Sequence, residues 1–491
     1  MKTARDPSEN TKSAGTGNDA PAVGIGVDFG TSNSVAALFD GHQLTLVSLE
    51  NDTEIMPSAT YIDRLLQICT GQEAIDSYII ANAGRKVELS AELLGEARTG
   101  TGQLGDDGLP EEAATGKVYG QSLIEAGEKG RLFRGVKRLL GNASIQRLMV
   151  FERPFRLVAL ITPLLLRIHD TVQKLLGDRD TANHACIGHP VNFEGRDADH
   201  NQTALQRLSE ACNYAGFERQ SFYPEPIAAA VSYLFANPGV AGEHLLAVDF
   251  GGGTLDLCLL RHEQDGFTVI ATHGIGLGGD HIDQRLFREL IFPLLGKGER
   301  WRRKGEDRVI ETLFPFEEYE DMLLNWAISY MLNQNRYTAP VMSRINQGDE
   351  AAARFRRLYE LIKRNYSYLV FQSLKDLKAA LSEQEEAVLD IPELDIELVM
   401  RRDSFEQIIA DLLDQFSEAV DHVLQTAGFR PEQVDLVIRT GGSSLIPAVR
   451  RILDQQFPDK VIEHDPFTSV AAGLAIAEYR RLARNLSDVP H

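Results

Sequence analysis

The chain has 491 residues, of which 43% are hydrophobic and 25% charged, so it is ordinary globular material with room for about three domain-sized units. Its formal net charge of −21 argues against nucleic acid or an anionic membrane surface as the main partner. The four cysteines form no CxxC pair, and the longest apolar run, residues 157–166, is too short to cross a bilayer. No basic segment followed by an apolar stretch opens the chain, so we expect a cytoplasmic protein that binds neither nucleic acid nor membrane.

The first part of the chain begins with a polar segment, residues 1–21, which predicts a disordered tail. Residues 23–49 contain three short alternating segments, separated by Gly30-Thr31 and Asp40-Gly41-His42, and this pattern is typical of a β-meander. Residues 86–130 are glycine-rich and loosely patterned, which predicts an insertion with mobile loops.

The remainder of the chain is predicted to be mostly helical, with strands at intervals. The predicted helices cover residues 154–176, about 199–215, a segment opened by Pro226, most of 281–383 and about 404–427. The predicted strands cover residues 184–188, a second hairpin unit at 245–272, residues near 387–396 and residues 434–439. An amphipathic helix follows, with Ile446, Val449, Ile452, Leu453 and Phe457 on one face. Small-residue helices at 226–231 and 470–477 predict two helices that cross closely.

The peptide Val-Asp-Phe-Gly occurs twice, at residues 27–30 and 248–251, each time between an apolar strand and a second alternating strand. The two turns are Gly30-Thr31-Ser32-Asn33 and Gly251-Gly252-Gly253-Thr254. Such turns present backbone N–H groups to phosphate oxygens without obstruction by Cβ atoms. An aspartate at the strand end, Asp28 or Asp249, is suited to a hydrated Mg²⁺. Both turns lead into strands, which excludes Rossmann and Walker motifs, so the repeat predicts two lobes that close on one Mg-nucleotide.

Five blocks of sequence carry a family resemblance. They are residues 28–34, 225–230 and 249–256, Gly278-Gly279-Asp280, and Gly441-Gly442-Ser443. With these blocks in this order, the chain resembles the nucleotide-binding domain of the Hsp70 chaperones, in the actin/hexokinase/Hsp70 superfamily, from about residue 23 to about residue 480. The resemblance implies an α/β, actin-like ATPase fold. Two lobes, each with a duplicated ribonuclease-H-like mixed sheet flanked by helices, would enclose a nucleotide cleft.

The resemblance also implies a division of the chain into subdomains. The core of lobe I would comprise residues 22–56 and 153–240, with residues 57–152 as its outer insertion. The core of lobe II would comprise residues 241–280 and 395–485, with residues 281–394 as an expanded helical outer subdomain. This expansion is similar to that of short stand-alone bacterial Hsp70-like proteins, whose Asn-Phe-Glu/Gln-Gly stretch is echoed at residues 192–195.

Roles for individual residues follow from the same resemblance. Asp28 and Asp249 would face Mg²⁺ through its waters, and Lys137 matches the family's catalytic lysine, which neutralises the transferring phosphoryl group. Glu225 matches the carboxylate that orients the attacking water, and Thr254 joins this catalytic group. Pro190 matches the proline that relays nucleotide state between the lobes. Nucleotide contacts are implied for Gly30, Thr31, Ser32, Asn33, Gly251, Gly252, Gly253, Gly278, Gly279, Lys378, Ser382, Gly441, Gly442 and Ser443.

Two departures from the family pattern alter the expected function. Ala379 and Leu445 stand where arginines usually stack on the adenine, so we expect weaker or less adenine-selective binding. The sequence stops soon after Glu478-Tyr479, without the linker, β-sandwich and helical lid of a full Hsp70, so we expect no clamping of peptides in cis.

The sequence therefore predicts slow Mg-dependent ATP hydrolysis that drives lobe opening and closing in a chaperone or chaperone-related regulator. Its partners would be an adenine nucleotide, ATP or ADP, and a protein partner or client that binds the enlarged 281–394 subdomain. Three alternatives stay open: a small-molecule kinase or phosphatase of the same superfamily, a filament-forming ATPase of the actin/MreB type, and a non-hydrolysing nucleotide sensor. The retention of Asp28, Lys137, Glu225 and Asp249 argues against the last.

Overall fold

The structure is a computed structural model that describes residues 23–51, 53–85, 88–99, 114–126, 129–151, 153–177, 180–193, 199–239, 242–263, 266–304 and 309–487. The predicted tail, residues 1–21, and the second half of the 192–195 stretch lie outside the described residues. Within the described ranges, none of the helices combines the length and apolar character needed to cross a bilayer. The four cysteines form no disulfide with one another.

The strands, numbered in chain order, are β1 Gly24–Phe29, β2 Asn33–Phe39, β3 Leu44–Leu46, β4 Met56–Pro57, β5 Ala59–Asp63, β6 Ile68–Thr70, β7 Glu88–Thr99, β8 Ala114–Ala126, β9 Gly130–Arg134, β10 Arg147–Val150, β11 Arg153–Arg156, β12 His184–His189, β13 Arg219–Pro224, β14 His244–Phe250, β15 Leu255–Glu263, β16 Gly266–Ile275, β17 Arg300–Lys304, β18 Val309–Leu313, β19 Glu386–Ile391, β20 Ile396–Arg401, β21 Leu436–Thr440 and β22 Val461–Glu463. The helices are α1 Gln72–Asn82, α2 Leu157–Leu176, α3 His200–Tyr214, α4 Glu225–Ala236, α5 Gly279–Leu286, α6 Phe292–Leu294, α7 Glu317–Leu323, α8 Asn335–Ile345, α9 Ala352–Arg364, α10 Ser367–Glu383, α11 Arg402–Ile408, α12 Ala410–Ala427, α13 Pro447–Gln456 and α14 Ser469–Ser487.

Two core sheets share one topology, and each contains one of the Val-Asp-Phe-Gly hairpins. The first sheet has the strand order β13-β12-β1-β2-β3, and the second has the order β16-β15-β14-β21-β22. In each sheet the hairpin is antiparallel, β1 with β2 and β14 with β15, and a later strand, β12 or β21, joins it in parallel. This repetition confirms the predicted mixed α/β fold with one core sheet in each lobe.

Helices α4 and α14 pack closely against each other because small residues line their contact. A Cβ atom added at Gly473 would lie 1.7 Å from the carbonyl oxygen of Ala228, a separation that a side chain cannot adopt. The same helix α14 lies against β1, where a Cβ atom at Gly26 would lie 2.2 Å from the carbonyl oxygen of Ala471. The predicted close crossing of the two small-residue helices is therefore confirmed.

Several predicted elements differ from the observed ones. The prediction of loops within residues 86–130 is wrong where β7 and β8 pair as a long antiparallel hairpin. The register of this pairing shifts along the strands, and such shifts obscure the alternation of side chains in the sequence. The helical prediction for residues 281–383 is wrong where β17 and β18 form a second hairpin. The helix predicted from residue 154 begins at Leu157, because β11 pairs with β10 up to Arg156. The helix predicted over 404–427 is two helices, α11 and α12.

Candidate functional site

A cleft of about 860 Å³ is lined by residues of both core sheets, and the two Val-Asp-Phe-Gly hairpins meet in it. A Cβ atom added at Gly252 would lie 2.9 Å from the Ser32 Oγ atom. One added at Gly253 would lie 3.3 Å from the Thr31 Cγ2 atom. Side chains at either glycine would crowd the first hairpin, so glycine keeps the gap between the two turns open. Residues of both turns therefore line one shared space.

The first turn is held by Ser58, which follows β4. The Ser58 backbone N–H donates to the Ser32 carbonyl over 2.9 Å, and its hydroxyl donates to the Gly30 carbonyl over 2.8 Å. These two hydrogen bonds engage the carbonyl groups of Gly30 and Ser32 and so fix the backbone of the first turn.

The second turn is closed by its own backbone and by Ser443. The Gly251 N–H donates to the Thr254 carbonyl over 3.0 Å. Ser443, in the short 3₁₀ segment after β21, donates its hydroxyl to the Gly251 carbonyl over 2.9 Å. The segment that carries Ser443 is thus fixed to the second turn through a side-chain hydrogen bond.

The start of α5 braces the same turn through its backbone. The N–H groups of Gly279 and Asp280 donate to the carbonyls of Gly251 and Gly252, over 3.0 and 2.8 Å. A Cβ atom added at Gly278 would lie 2.4 Å from the Gly252 carbonyl oxygen, so only glycine permits this approach. The N–H of Gly278 itself donates to His281 Nδ1. These N–H groups already donate to acceptors within the protein, so they fix the shape of the turn.

Gly441 sits directly over the carboxylate of Asp249. It follows β21 with a φ of 83°, and a Cβ atom there would lie 2.6 Å from Asp249 Oδ1. A Cβ atom added at its neighbour Gly442 would lie 3.0 Å from the nearest atom of the Phe467 ring. Because Gly441 and Gly442 have no side chain, their backbone can lie close to Asp249 and Phe467.

Lys137 and Glu225 form a buried ion pair at the cleft. Their Nζ and Oε1 atoms are 2.5 Å apart, although 88 residues separate them in sequence. Gly135, with a φ of 64°, turns the chain into the 3₁₀ segment that carries Lys137, and Glu225 is the first residue of α4. Burial lowers the pKa of Lys137, but the nearby carboxylates of Glu225 and Asp28 outweigh it, so the pKa is raised and the ammonium stays charged.

Three carboxyl groups lie near the hairpins and this ion pair. Asp28 and Asp249 line the cleft and are half-buried, whereas Asp256 is buried and is not part of the lining. Burial, with the negative charge of Glu225, raises the pKa of Asp28 to about 7 and that of Asp256 also to about 7. The pKa of Asp249 is raised well above its usual value by burial and by the surrounding carboxylates. Asp256 also accepts a hydrogen bond from the Thr254 hydroxyl over 2.9 Å.

Asp256 was not among the predicted site residues, although the sequence contains the signal for it. It lies directly across the β14–β15 hairpin from Asp249, at the same distance from the turn. Its hydrogen bond fixes the Thr254 hydroxyl, so we assign it a positioning role.

The carboxylates fit a bound Mg²⁺. Mg²⁺ prefers oxygen ligands and keeps several of its waters, so it needs few protein ligands. Asp28 and Asp249 supply such oxygens, and a cation near them would relieve the repulsion that raises their pKa values. Among the residues that the structure describes, no group of three or more potential His, Cys, Asp or Glu ligands surrounds a single point.

The other end of the cleft is formed by α10 and the segment after β21. Lys378 donates to Asp283 Oδ1 over 2.6 Å and to the Gly279 carbonyl over 3.3 Å, so it is tied to α5. Asp283 is a further residue that sequence reasoning did not find. Ser382 donates its hydroxyl to the Lys378 carbonyl over 3.0 Å. Other residues that line this end are Lys375, Ala379, Leu445 and Arg450.

The structure brings nearly all the predicted site residues to this one cleft. Each of them lines it except Gly278, which lies behind the second turn. Pro190, directly after β12, lines it as well.

The comparisons with known proteins agree on one family. A family model described as Hsp70 protein matches residues 116–306 and 350–478. The chain is similar to chaperone protein dnaK1 of Prochlorococcus marinus, at 24% identity over 455 residues, which is 92% of this chain and 55% of the relative. It is similar to heat shock 70 kDa protein BIP3 of Oryza sativa, at 24% identity over 460 residues, 92% of this chain and 56% of the relative. A chaperone protein HscA homolog of Rickettsia typhi is 27% identical over 263 residues, 53% of this chain and 37% of the relative.

The chain spans about half the length of the curated relatives that it matches over most of its own length. The family's actin-like ATPase fold agrees with the two core sheets of one topology. Because the family model matches well over half of the residues, this chain belongs to the Hsp70 family, whose members are ATP-binding chaperone ATPases.

Proposed function

We propose that this chain binds Mg-ATP in the cleft, hydrolyses it slowly and changes the separation of its lobes with the nucleotide state. The observation that carries the proposal is the buried pair of Lys137 and Glu225, with Nζ and Oε1 2.5 Å apart, in the same cleft as both glycine-containing hairpins. A charged lysine, a carboxylate and two anion-binding turns are the groups that phosphoryl transfer requires.

In this proposal the chain's own residues divide the work. The N–H groups and hydroxyls of the two turns hold the β- and γ-phosphates. Lys137, which pairs with Glu225, would bind the γ-phosphate and stabilise the charge that develops on it. Glu225, released from part of its ion pair, would accept a hydrogen bond from the attacking water and orient it. When bound, Mg²⁺ would neutralise phosphate charge opposite Asp28 and Asp249.

The proposed biological role is that of a chaperone or chaperone-related regulator. Lobe movement would be transmitted to a protein partner or client through the enlarged 281–394 segment. Membership of the Hsp70 family favours this role over the metabolite kinase and filament alternatives, since neither alternative accounts for the family match, which covers the second core sheet and strands β12 and β13 of the first. Adenine nucleotides are the expected ligands, with selectivity reduced at Ala379 and Leu445.

The test is Mg-ATP binding and single-turnover hydrolysis by the parent chain, Lys137→Ala and Asp249→Ala. We expect Lys137→Ala to bind nucleotide but to lose about 100-fold or more in the hydrolysis rate, the usual effect of removing one charge-stabilising donor. We expect Asp249→Ala to lose the Mg²⁺ dependence of nucleotide affinity. The matched control is Lys174→Ala, because Lys174 is an exposed lysine on α2 outside this cleft.

Unchanged turnover in both variants would contradict the proposed mechanism. Strong acceleration of turnover by a small metabolite would favour a kinase instead, and ATP-dependent light scattering would favour a filament.

A further inference from the structure

The hairpin of β17 and β18 lies where the match to the family model is interrupted. The model matches residues up to 306 and from 350 onwards, so β18, α7 and α8 fall between the two matched parts. Among the described residues the hairpin is a two-stranded sheet of its own, in which Arg302 lies opposite Glu311. Its role therefore depends on contacts that the family match does not cover.

One face of the hairpin is fixed to the apolar core around α9. The Trp301 ring packs 5.7 Å from that of Phe314, which is buried and lies 4.7 Å from the ring of Phe355. The Phe314 N–H also donates to the Glu299 carbonyl over 2.8 Å, which continues the pairing beyond the strand ends. These contacts hold the hairpin in a defined position.

Side chains close the outer edge of β17. The Gln347 amide accepts a hydrogen bond from the Arg302 N–H over 3.3 Å and donates to the Arg302 carbonyl over 2.9 Å. The buried Arg344 donates its Nε–H to the Arg300 carbonyl over 2.7 Å. Two side chains thereby occupy the place that a neighbouring strand would take beside β17.

The edge of β18 is open. In an antiparallel pair, residues whose N–H and C=O groups point away from the partner strand lie opposite each other. The N–H and C=O of Arg302 point away to Gln347, so those of Glu311 point outwards at the edge of β18. None of the described strands pairs with this edge, and Ile310 and Leu313 on either side of Glu311 are exposed.

The side chains of the hairpin favour a negatively charged occupant for this edge. Exposed edge strands commonly carry lysine or proline, which discourages pairing with another strand, but β18 reads Val-Ile-Glu-Thr-Leu. Arg300 and Arg302, 63% and 68% exposed, share the single carboxylate of Glu311 over 3.3 and 3.9 Å. Residues 300–313 hold five basic and three acidic side chains, so this hairpin is positive in a chain of net charge −21.

We propose that the edge of β18 is a docking site for an extended, acidic segment of a partner protein, which adds to the hairpin as a third strand. Main-chain hydrogen bonds to Glu311 and Leu313 would supply affinity, and the guanidinium groups of Arg300 and Arg302 would select negative charge. The added strand would lie about 10 Å from β17, within reach of arginine side chains. This inference rests on the proposed function, because it gives the chemical class of partner that the 281–394 segment would take.

The test measures binding of a short fluorescent peptide that alternates glutamate and valine, by anisotropy, with the full chain and without nucleotide. We expect saturable binding that weakens as the salt concentration rises. The same peptide with every backbone nitrogen methylated keeps its charge but cannot donate main-chain hydrogen bonds, so we expect it not to bind. A peptide with lysine in place of glutamate should not bind either.

Two variants at one position isolate the backbone contact. Glu311→Pro removes the outward N–H, a change that an edge strand tolerates because Ile310 and Thr312 make the hydrogen bonds to β17. Glu311→Ala is the matched control, since it loses the same carboxylate and keeps the N–H. We expect the proline variant to bind the peptide about three- to tenfold more weakly than the alanine variant, with the same thermal midpoint.

Two further variants isolate the charge. We expect Arg302→Ala to bind the peptide about two- to fivefold more weakly at low salt, and this difference should disappear at high salt. Arg261→Ala is the control, because Arg261 is an exposed arginine on β15, in the second core sheet, and it should bind the peptide like the parent.

Equal binding of the methylated and unmodified peptides, or of the two Glu311 variants, would overturn strand addition. Preference for the lysine peptide would overturn the acidic partner. Dimerisation of the parent that Glu311→Pro abolishes would place a second copy at this edge and would also overturn the proposal. Since nucleotide is absent, failure of the peptide to bind leaves the proposed ATPase function intact. A parent that binds the peptide but does not hydrolyse Mg-ATP would overturn that function alone.

Discussion

The two Val-Asp-Phe-Gly hairpins start from the same four residues and end in different surroundings. The first turn is held by hydrogen bonds from Ser58, which is close in sequence. The second is held by Gly279 and Asp280, which are as near in sequence, and also by Ser443, which is 192 residues from its acceptor. A repeated motif therefore gives the same local shape, while the number and origin of the contacts that fix it differ between the lobes.

The hairpins also differ in charge. Asp28 lies opposite Val35 across the first hairpin, whereas Asp249 lies opposite Asp256 across the second. The second lobe thus places two carboxyl groups where the first places one. We infer that the second hairpin is the more rigid, because more groups hold it, and that it depends more on distant residues.

The largest effect is expected from Gly278→Ala, behind the second turn. The added Cβ would lie 2.4 Å from the Gly252 carbonyl oxygen, so the turn must move, at about 1–3 kcal/mol of strain. We expect nucleotide affinity to fall about 10- to 100-fold, as measured by titration with Mg-ADP. Gly276→Ala is the matched control, because a Cβ there meets no atom within 4 Å. Equal affinities for the two variants would show that the second turn is not braced by α5.

The next effect is expected at the end of the cleft where the base would bind, between Ala379 and Leu445, both of lobe II. Ala379→Arg and Leu445→Arg would restore a cation to each face of the base, worth about 0.5–2 kcal/mol per face. We expect each variant to gain affinity for ADP over GDP, measured by parallel titrations. Gln372→Arg adds the same charge to α10 outside the cleft and serves as the control. Tight and strictly adenine-specific binding by the parent chain would contradict this prediction.

The two serines that hold the turns allow a direct comparison of the lobes. Ser58→Ala and Ser443→Ala each remove one hydroxyl that donates to a turn carbonyl. Each change should reduce the free energy that stabilises the turn by about 1 kcal/mol. We expect Ser58→Ala to reduce Mg-ADP affinity more, since the second turn retains two N–H donors, those of Gly279 and Asp280, whereas the first retains only the backbone N–H of residue 58. A larger loss in Ser443→Ala would reverse the proposed difference in rigidity.

Much of the fold could be predicted because its signals are local. Both hairpins combine an apolar strand with a small-residue turn, and their strands begin and end within a few residues of the predicted positions. The apolar face predicted for α13 is buried at Val449 and Leu453. By contrast, β17 is a run of mostly basic residues, and such a run carries no apolar alternation that would indicate a strand.

The candidate site was predictable where sequence neighbours carry it, and otherwise depended on family resemblance. Spacing alone could not have paired Lys137 with Glu225, 88 residues away. Asp256 could have been found from hairpin symmetry, as its position mirrors that of Asp249. The contact of Tyr78 with Trp326 joins residues 248 positions apart and corresponds to no motif, because packing between lobes depends on tertiary shape.

The smallest effect concerns a carboxylate that joins two strands of the second core sheet. Asp435 accepts hydrogen bonds from the N–H groups of Glu243 and His244, both over 2.9 Å, and these bonds lower its pKa below the usual 3.8. A carboxyl group with a lowered folded-state pKa stabilises the fold at neutral pH, and the stabilisation is lost as the pH falls through that value. The side chain is 44% exposed, so we expect Asp435→Asn to lose only about 0.5 kcal/mol in urea unfolding at pH 7, and less at pH 3. Asp40→Asn is the counterpart in the first sheet, where the carboxylate caps only its own turn, and it should change stability less. If the Asp435→Asn difference were the same at both pH values, the charge of this carboxylate would not contribute to joining β14 and β21.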